Sequence, residues 1–287
     1  MGSDPGPMVR RYQLGAALRQ LRIDAGMTMK HVADELQVHS AKISRLENAQ
    51  RNISVPDVLA LLNLYGVTEP ETRDRLIRLA RQNRESGWWK EFDLEPPLEK
   101  YVGLEGAASK ISDYQLLVPG LLQTRGYTSA IIDGFAKFEP ATKKKKLDLR
   151  EMRQDALRAD TILDVIVDEA AVRRIVGGVD VMRAQIDYLI QSATSSRVSN
   201  FQIMPFGKGA HPGVMSGFTV LQFDAPPGRD DYRMQDVVFI EGISSDVYLE
   251  QPEDVSAHLS AFEALRSRAL KSAESIRFLK TVHRELT

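Results

Sequence analysis

The 287-residue chain contains no cysteine. That absence excludes disulfides, thiolate metal sites and cysteine nucleophiles together, and it fits a reducing compartment. No apolar run approaches the roughly 18 residues that a membrane span needs. The opening residues, MGSDPGPMVRR, lack the apolar stretch of a signal peptide. The expectation is a cytoplasmic protein with no membrane partner. Residues 1–9, small and polar around a second methionine at Met8, read as a disordered or cloning-derived start. A large excess of either charge is missing too, since the net charge is −1. What is present is an ordinary globular composition, 43% hydrophobic and 27% charged. The charge is uneven along the chain. Residues 1–83 hold 12 Lys and Arg against 9 Asp and Glu, and the remainder holds 26 against 30. A basic surplus of three points to a polyanionic partner only where a motif stands behind it.

The first eighty residues read as short helices. Leu14, Leu18, Leu21 and Ala25 recur at helical spacing, and Gly26 supplies a stop. Thr28 is a good N-cap for a second helix whose buried stripe is Val32, Ala33 and Leu36. A third helix carries Ile43 and Leu46. Pro56 opens a fourth, closed at Gly66, and a fifth runs from about Pro70 to Asn83.

One spacing inside this set is sharper than the others. Ala33, Val38, Ile43 and Leu46 meet the demands of a helix-turn-helix. The first position must be small because the second helix crosses over it, and the other three bury the turn and the second helix. The stretch TMKHVADELQVHSAKISRLENAQ, within a match from about Leu14 to Val67, resembles the helix-turn-helix of the Xre family of bacterial repressors. The resemblance implies an all-α, lambda-repressor-like domain over residues 10–83. It also implies a second helix lying in the major groove of double-stranded DNA. His39, Ser40, Ala41, Lys42 and Arg45 would then stand at base edges. Arg45 has the fork for a guanine, Ala41 offers an apolar contact to a thymine methyl, and Lys42 reads a guanine or meets a phosphate. Lys30, Ser44, Arg51 and Asn52 are placed as phosphate contacts, which set register without reading sequence. Arg22 and Glu47 fall where family members join the first helix to the end of the recognition helix by an ion pair, a structural role. Two positions depart from the pattern. Gln37 stands where the turn usually has glycine, and Met29 where a phosphate-binding glutamine is common.

Beyond residue 83 the character changes. Residues 84–97 read as a linker packed down by Trp88 and Trp89. Acidic Glu91, Asp93 and Glu95 argue against stacking of nucleic-acid bases there. Residues 98–287 read as an α+β domain with at least four strands, so the chain is multidomain. Helix is expected from Leu98 to Ser112, near 127–136, 141–159 and 180–196, and over 252–286. YQLLVPGLLQT reads as a strand or extended piece turning at Pro119-Gly120, and strands are expected in TILDVIVDEAAV, VSNFQIMPF, GFTVLQF and DVVFIEG. The Lys143–Lys146 run reads as a solvated face rather than a phosphate site. The pieces LEGAAS, VPGLLQT, VDEAAVRRIVGG and MPFGKGAHPGVMSGFTVL resemble the long C-terminal domain of unknown function carried by many Xre-type regulators. In that group the gene often neighbours one for a small protein.

Chemistry is poorly signalled. His211, Ser216, Asp168 and Glu169 are candidate catalytic groups, but no Gly-x-Ser-x-Gly elbow and no histidine pair with metal-ligand spacing is present. The glycines of GKGAHPGVMSG read as a turn between strands. The chain is therefore expected not to be an enzyme and to need no cofactor or metal. The reading is a DNA-binding transcriptional regulator of repressor type, a homodimer on its operator. Its C-terminal domain would supply dimer contacts and sense a small-molecule effector or a small cognate protein. The alternative is an antitoxin-like interaction protein that uses DNA binding only for autoregulation.

Overall fold

The computed structural model describes residues 6–49, 51–82, 87–195, 198–225 and 234–286. The chain divides into two compact units, residues 1–107 with 223–234, and residues 108–222 with 235–287.

The first unit is helical. It contains α1 (Gly6–Asp24), α2 (Met29–Glu35), α3 (Ser40–Glu47), α4 (Val55–Leu64) and α5 (Pro70–Gln82). Residues 6–9, expected to belong to a disordered start, are helical instead. A proline in the first turn of α1 is compatible with that, because no amide there needs a helical partner. Gly26 and Gly66 close α1 and α4 with positive φ of 66° and 69°. Thr28 Oγ1 accepts from the His31 amide at 3.1 Å, and Ser54 Oγ from the Asp57 amide at 3.2 Å. These caps satisfy amides that a helix start leaves unpaired. Leu14, Leu18, Val32, Ala33, Ile43, Leu46, Val58, Leu62 and Leu76 form one buried cluster. Each large side chain in it contributes about 1.5–3 kcal/mol of burial.

Trp88–Phe92 forms a 3-10 turn, with Trp88 edge-on to Trp89 at 5.8 Å and to Phe92 at 6.1 Å. Trp89 is buried and donates to Glu99 at 3.4 Å. The acceptor lies on α6 (Pro96–Glu105), which straddles residue 98 and packs on α1. Helix was expected as far as Ser112, but it ends at Glu105. Gly106 caps it, and the KISDYQ segment is drawn into a sheet by partners on both sides.

The second unit holds that sheet. Its strands are β1 (Lys110–Gln115), β2 (Ile162–Asp168), β3 (Asn200–Met204), β4 (Phe218–Gln222), β5 (Val237–Ile240) and β6 (Val247–Leu249). Among the described residues the order is β3-β2-β1-β4-β5-β6. The β1–β2 and β2–β3 pairs are parallel and the rest antiparallel. Parallel neighbours need crossovers. These are α7 (Arg125–Phe135) with α8 (Pro140–Ala156), then α9 (Glu169–Arg173) with α10 (Val179–Thr194). The apolar run expected to be a strand through Val172 stops at Asp168, whose side chain accepts from the Ala170 amide at 2.8 Å and starts α9. The final helices are α11 (Pro252–Arg268) and α12 (Ser272–Glu285). Tyr114, Ile166, Met204, Phe218, Val220 and Val238 share one sheet face with Phe262 and Leu265 of α11. The exposed edge of β3 is closed rather than left open to another strand. Ile203 donates to Ser275 Oγ at 3.0 Å and accepts from the Leu270 amide at 2.9 Å. In the described residues no helix is long and apolar enough to cross a membrane.

Candidate nucleic-acid interface

The α2–turn–α3 segment is built as its spacing requires. Ala33, Ile43 and Leu46 are buried, and Val38 is half-buried against the same cluster. The Val38 amide donates to the Ala33 carbonyl at 2.9 Å, folding the turn back on α2. Gln37 takes the left-handed conformation, φ 52°, in the place where a glycine would carry no Cβ penalty.

This frame leaves one face of α3 open. Ser40, Ala41 and Arg45 are exposed. His39 is the exposed N-cap of α3, and its side chain makes no capping bond. Arg45, with Lys30 on α2 and Arg51 in the loop after α3, is exposed and makes no ion pair among the described residues. Three of the named residues are already engaged. Ser44 Oγ accepts from Asn48 at 3.3 Å, and Asn52 Oδ1 accepts from Arg11 at 3.0 Å. Lys42 Nζ lies 2.7 Å from Asp57 Oδ1 on α4. Lys42 and Asp57 also line a cleft of about 110 Å³ floored by Leu36, Ile43, Leu46 and Leu61.

Asp57 and Ser54 escaped the sequence reading. Ser54 donates to Asp57 Oδ2 at 2.5 Å while accepting from the Asp57 amide. Burial alone pushes the Asp57 carboxyl up, but the hydrogen bonds from Lys42 and Ser54 outweigh it and hold the group below its ordinary value. The signal was available, since SVPD ahead of an apolar run has the form of a capping box.

Behind α3, Arg22 and Glu47 form a two-pronged pair. Nε to Oε1 is 2.6 Å and Nη2 to Oε2 is 2.9 Å, with side chains only 9% and 2% exposed. Arg22 Nη1 also donates to the Met27 carbonyl at 2.8 Å, so one guanidinium ties the end of α1 to the end of α3. Tyr65 is buried beside them. Burial, and then the Glu47 charge, push its phenol far up, so it stays neutral. Gly15 admits the crossing of α1 over α3, because a Cβ there would lie 2.6 Å from the Glu47 carbonyl oxygen.

The second unit gathers some of the candidate catalytic groups. His211 Nε2 lies 3.9 Å from Asp168 Oδ2, and Tyr114 Oη donates to the same oxygen at 3.5 Å. Asp168 is also the cap of α9. Glu169 accepts from the Phe206 amide at 2.8 Å and pairs with Arg173. Both carboxylates thus hold the strand ends in place. Ser216 is exposed. Of the four lysines expected to be solvated, Lys143 pairs with Asp133 and Lys144 with Asp148. No group of three His, Asp or Glu among the described residues is arranged to hold a metal ion.

Comparison with known proteins bears on both halves. A profile described as "Helix-turn-helix domain" matches residues 13–76. The chain is similar to the propionyl-CoA carboxylase regulator of Cereibacter sphaeroides, 26% identical over 201 residues. That alignment covers 67% of this chain and 42% of the relative, so the chain spans less than half of that curated protein's length. No solved structure matches. A profile described as "Domain of unknown function (DUF5753)" matches residues 98–281, more than half of the sequence, and the chain therefore belongs to the DUF5753 family, with a helix-turn-helix domain ahead of that region.

Proposed function

We propose that the chain is a cytoplasmic transcriptional regulator of the Xre kind that binds operator DNA as a homodimer. The observation that carries this is the face of α3, where Ser40, Ala41 and Arg45 stand exposed over a buried helix-turn-helix core. A helix N-terminus with a guanidinium one turn further along suits insertion into the major groove. The name of the Cereibacter sphaeroides relative, a regulator, supports the same reading. In it, His39 stands with Ser40, Ala41 and Arg45 at base edges, and Lys30, Ser44, Arg51 and Asn52 meet phosphates. The α+β domain has no catalytic part. It responds to a small molecule or a small protein through a difference in affinity between its DNA-competent and incompetent states.

A second reading, an antitoxin-like interaction protein, draws on one feature. The connection between β3 and β4 displays Phe206, Val214 and Met215, which are 57%, 56% and 87% exposed. Large apolar side chains held in water suit a protein partner. Co-purification of a small protein at fixed stoichiometry would favour it.

The deciding experiment is binding of full-length protein to its own upstream DNA and to a scrambled duplex at two salt concentrations, with Arg45→Ala alongside. The expected result is a preference for upstream DNA that persists at the higher salt. Arg45→Ala should lose about 1–3 kcal/mol of discrimination at one base position. Equal loss on every sequence would make Arg45 a phosphate contact, and absence of any preference would remove the operator reading.

A further inference from the structure

We propose that Asp57 sets the strength and salt dependence of DNA binding: it holds the Lys42 ammonium on α4 and so withholds one positive charge from the phosphates of bound DNA. The inference rests on the reading of α3 as the DNA-contacting helix and goes beyond it. On sequence alone Lys42 is a reader of bases or a phosphate contact. In the structure it is neither reaching outward nor unpaired, because it bends to Asp57 at 2.7 Å. The carboxylate cannot easily turn away. Its Oδ1 takes Lys42 and its Oδ2 takes the Ser54 hydroxyl, while the Asp57 amide donates back to that hydroxyl. Ser54 is itself fixed as the N-cap of α4. The pair is 31% and 26% exposed, so water and salt screen it less than a fully solvated pair.

The consequence follows from how cations bind DNA. Each charge that neutralises a phosphate releases a counterion and adds affinity on every sequence alike. Arg45, Lys30 and Arg51 make no ion pair among the described residues and are available for that role. Lys42 sits on the same recognition helix but is neutralised from within. A neutral Lys42–Asp57 pair contributes nothing to sequence-independent attraction, whereas a lone lysine there would strengthen binding to any duplex. Asp57 therefore lowers the affinity for any duplex, and its dependence on salt, by one phosphate contact without touching a base.

The test uses full-length wild type, Asp57→Asn and the double variant Lys42→Met with Asp57→Asn. Fluorescence anisotropy follows binding to upstream and scrambled duplexes between 50 and 200 mM salt. Asp57→Asn keeps the backbone amide bond to Ser54 but removes the negative charge that neutralises the lysine. Its slope of log affinity against log salt should steepen by about 0.9, one phosphate contact. Over that fourfold rise in salt its affinity for either duplex then falls about 3-fold further than that of wild type, while the upstream-to-scrambled ratio stays near the wild-type value. The double variant replaces one neutral pair by another and should return to the wild-type slope. An unchanged slope in Asp57→Asn overturns the proposal. So does a double variant about 0.9 shallower than wild type, since Lys42 would then already leave Asp57 for a phosphate. The comparison of wild type with the double variant stands even where Asp57→Asn alone folds poorly. Retained upstream preference with either overturning slope removes only the role of Asp57. Loss of all preference in wild type removes the DNA reading with it.

Discussion

At the scale of single residues, the Arg22–Glu47 and Lys42–Asp57 ion pairs differ in kind. Arg22 and Glu47 are nearly dry, share two hydrogen bonds, and hold the ends of two helices. Removing one partner strands the other charge away from water, which costs about 3–5 kcal/mol. Arg22→Ala should therefore lower the unfolding free energy by about that amount in urea titration. The double replacement Arg22→Met with Glu47→Leu should lose much less, because neither charge is then stranded. An Arg22→Ala protein of native stability would reduce the pair to decoration. Lys42 and Asp57 are wetter, and their signature is pH. The folded Asp57 carboxyl lies below its ordinary value of 3.8, so the folded state binds fewer protons than the unfolded one as pH falls. The stabilisation is complete above that ordinary value and is lost as acid titrates the folded group. Between pH 5 and pH 2 the melting temperature of wild type should fall more than that of Asp57→Asn. Parallel curves would mean that the hydrogen bonds to Asp57 carry no net stability.

At the scale of elements, the turn between α2 and α3 is where sequence and conformation disagree. Gln37 sits at φ 52°, a conformation that costs a residue with a Cβ about 1–2 kcal/mol and glycine almost nothing. Gln37→Gly should raise the unfolding free energy by up to about 1 kcal/mol, seen as a higher urea midpoint with an unchanged slope, after the greater entropy of unfolded glycine is set against the relief of strain. A lower midpoint would mean that the Gln37 side chain supplies something the turn needs. Gly15→Ala should act in the opposite direction, because its methyl would meet backbone oxygens of Glu47 and Leu46 at 2.6 and 2.9 Å. Backbone cannot yield as a flexible side chain does, so α1 must move off the end of α3 and take Arg22 with it. The helices of this unit were legible because their apolar stripes, caps and closing glycines repeat the geometry of a helix, and Ala33, Ile43 and Leu46 are buried as their spacing demands. The crossing at Gly15 was not legible, since a glycine inside a helical pattern gives no sign of what approaches it. Nor was β6, whose three residues are too few for an alternation to register. The early end of helix before β1 reflects partners distant in sequence. Lys110–Gln115 is paired to residues some fifty and a hundred positions away, which local periodicity does not report. The same holds for Asp57: a capping pattern pointed to the helix start, but only the fold brings Lys42 to it.

At the scale of the whole molecule, the proposed reading of operator DNA by α3 implies a second copy of the chain. The α3 helix is eight residues long, about 12 Å at 1.5 Å per residue, and only its first turns can face base edges. That reaches a few base pairs, far too few to single out one operator among the competing sites of a genome. Two heads on one face of the duplex multiply the discrimination, provided their spacing matches a helical turn, about 34 Å or 10–10.5 base pairs between half-site centres. The 287-residue chain should therefore sediment at twice 32.1 kDa at the concentrations where it binds. Its footprint on upstream DNA should contain two related half-sites. Inserting about five base pairs between them turns one half-site to the far side of the helix and should abolish the preference for upstream DNA, whereas about ten should restore part of it. A monomer that binds a single half-site with full preference would contradict this arrangement. A protein that ignores the spacing would leave DNA contact as an accessory, and the apolar connection carrying Phe206 and Met215 would become the surface on which to look for its main partner.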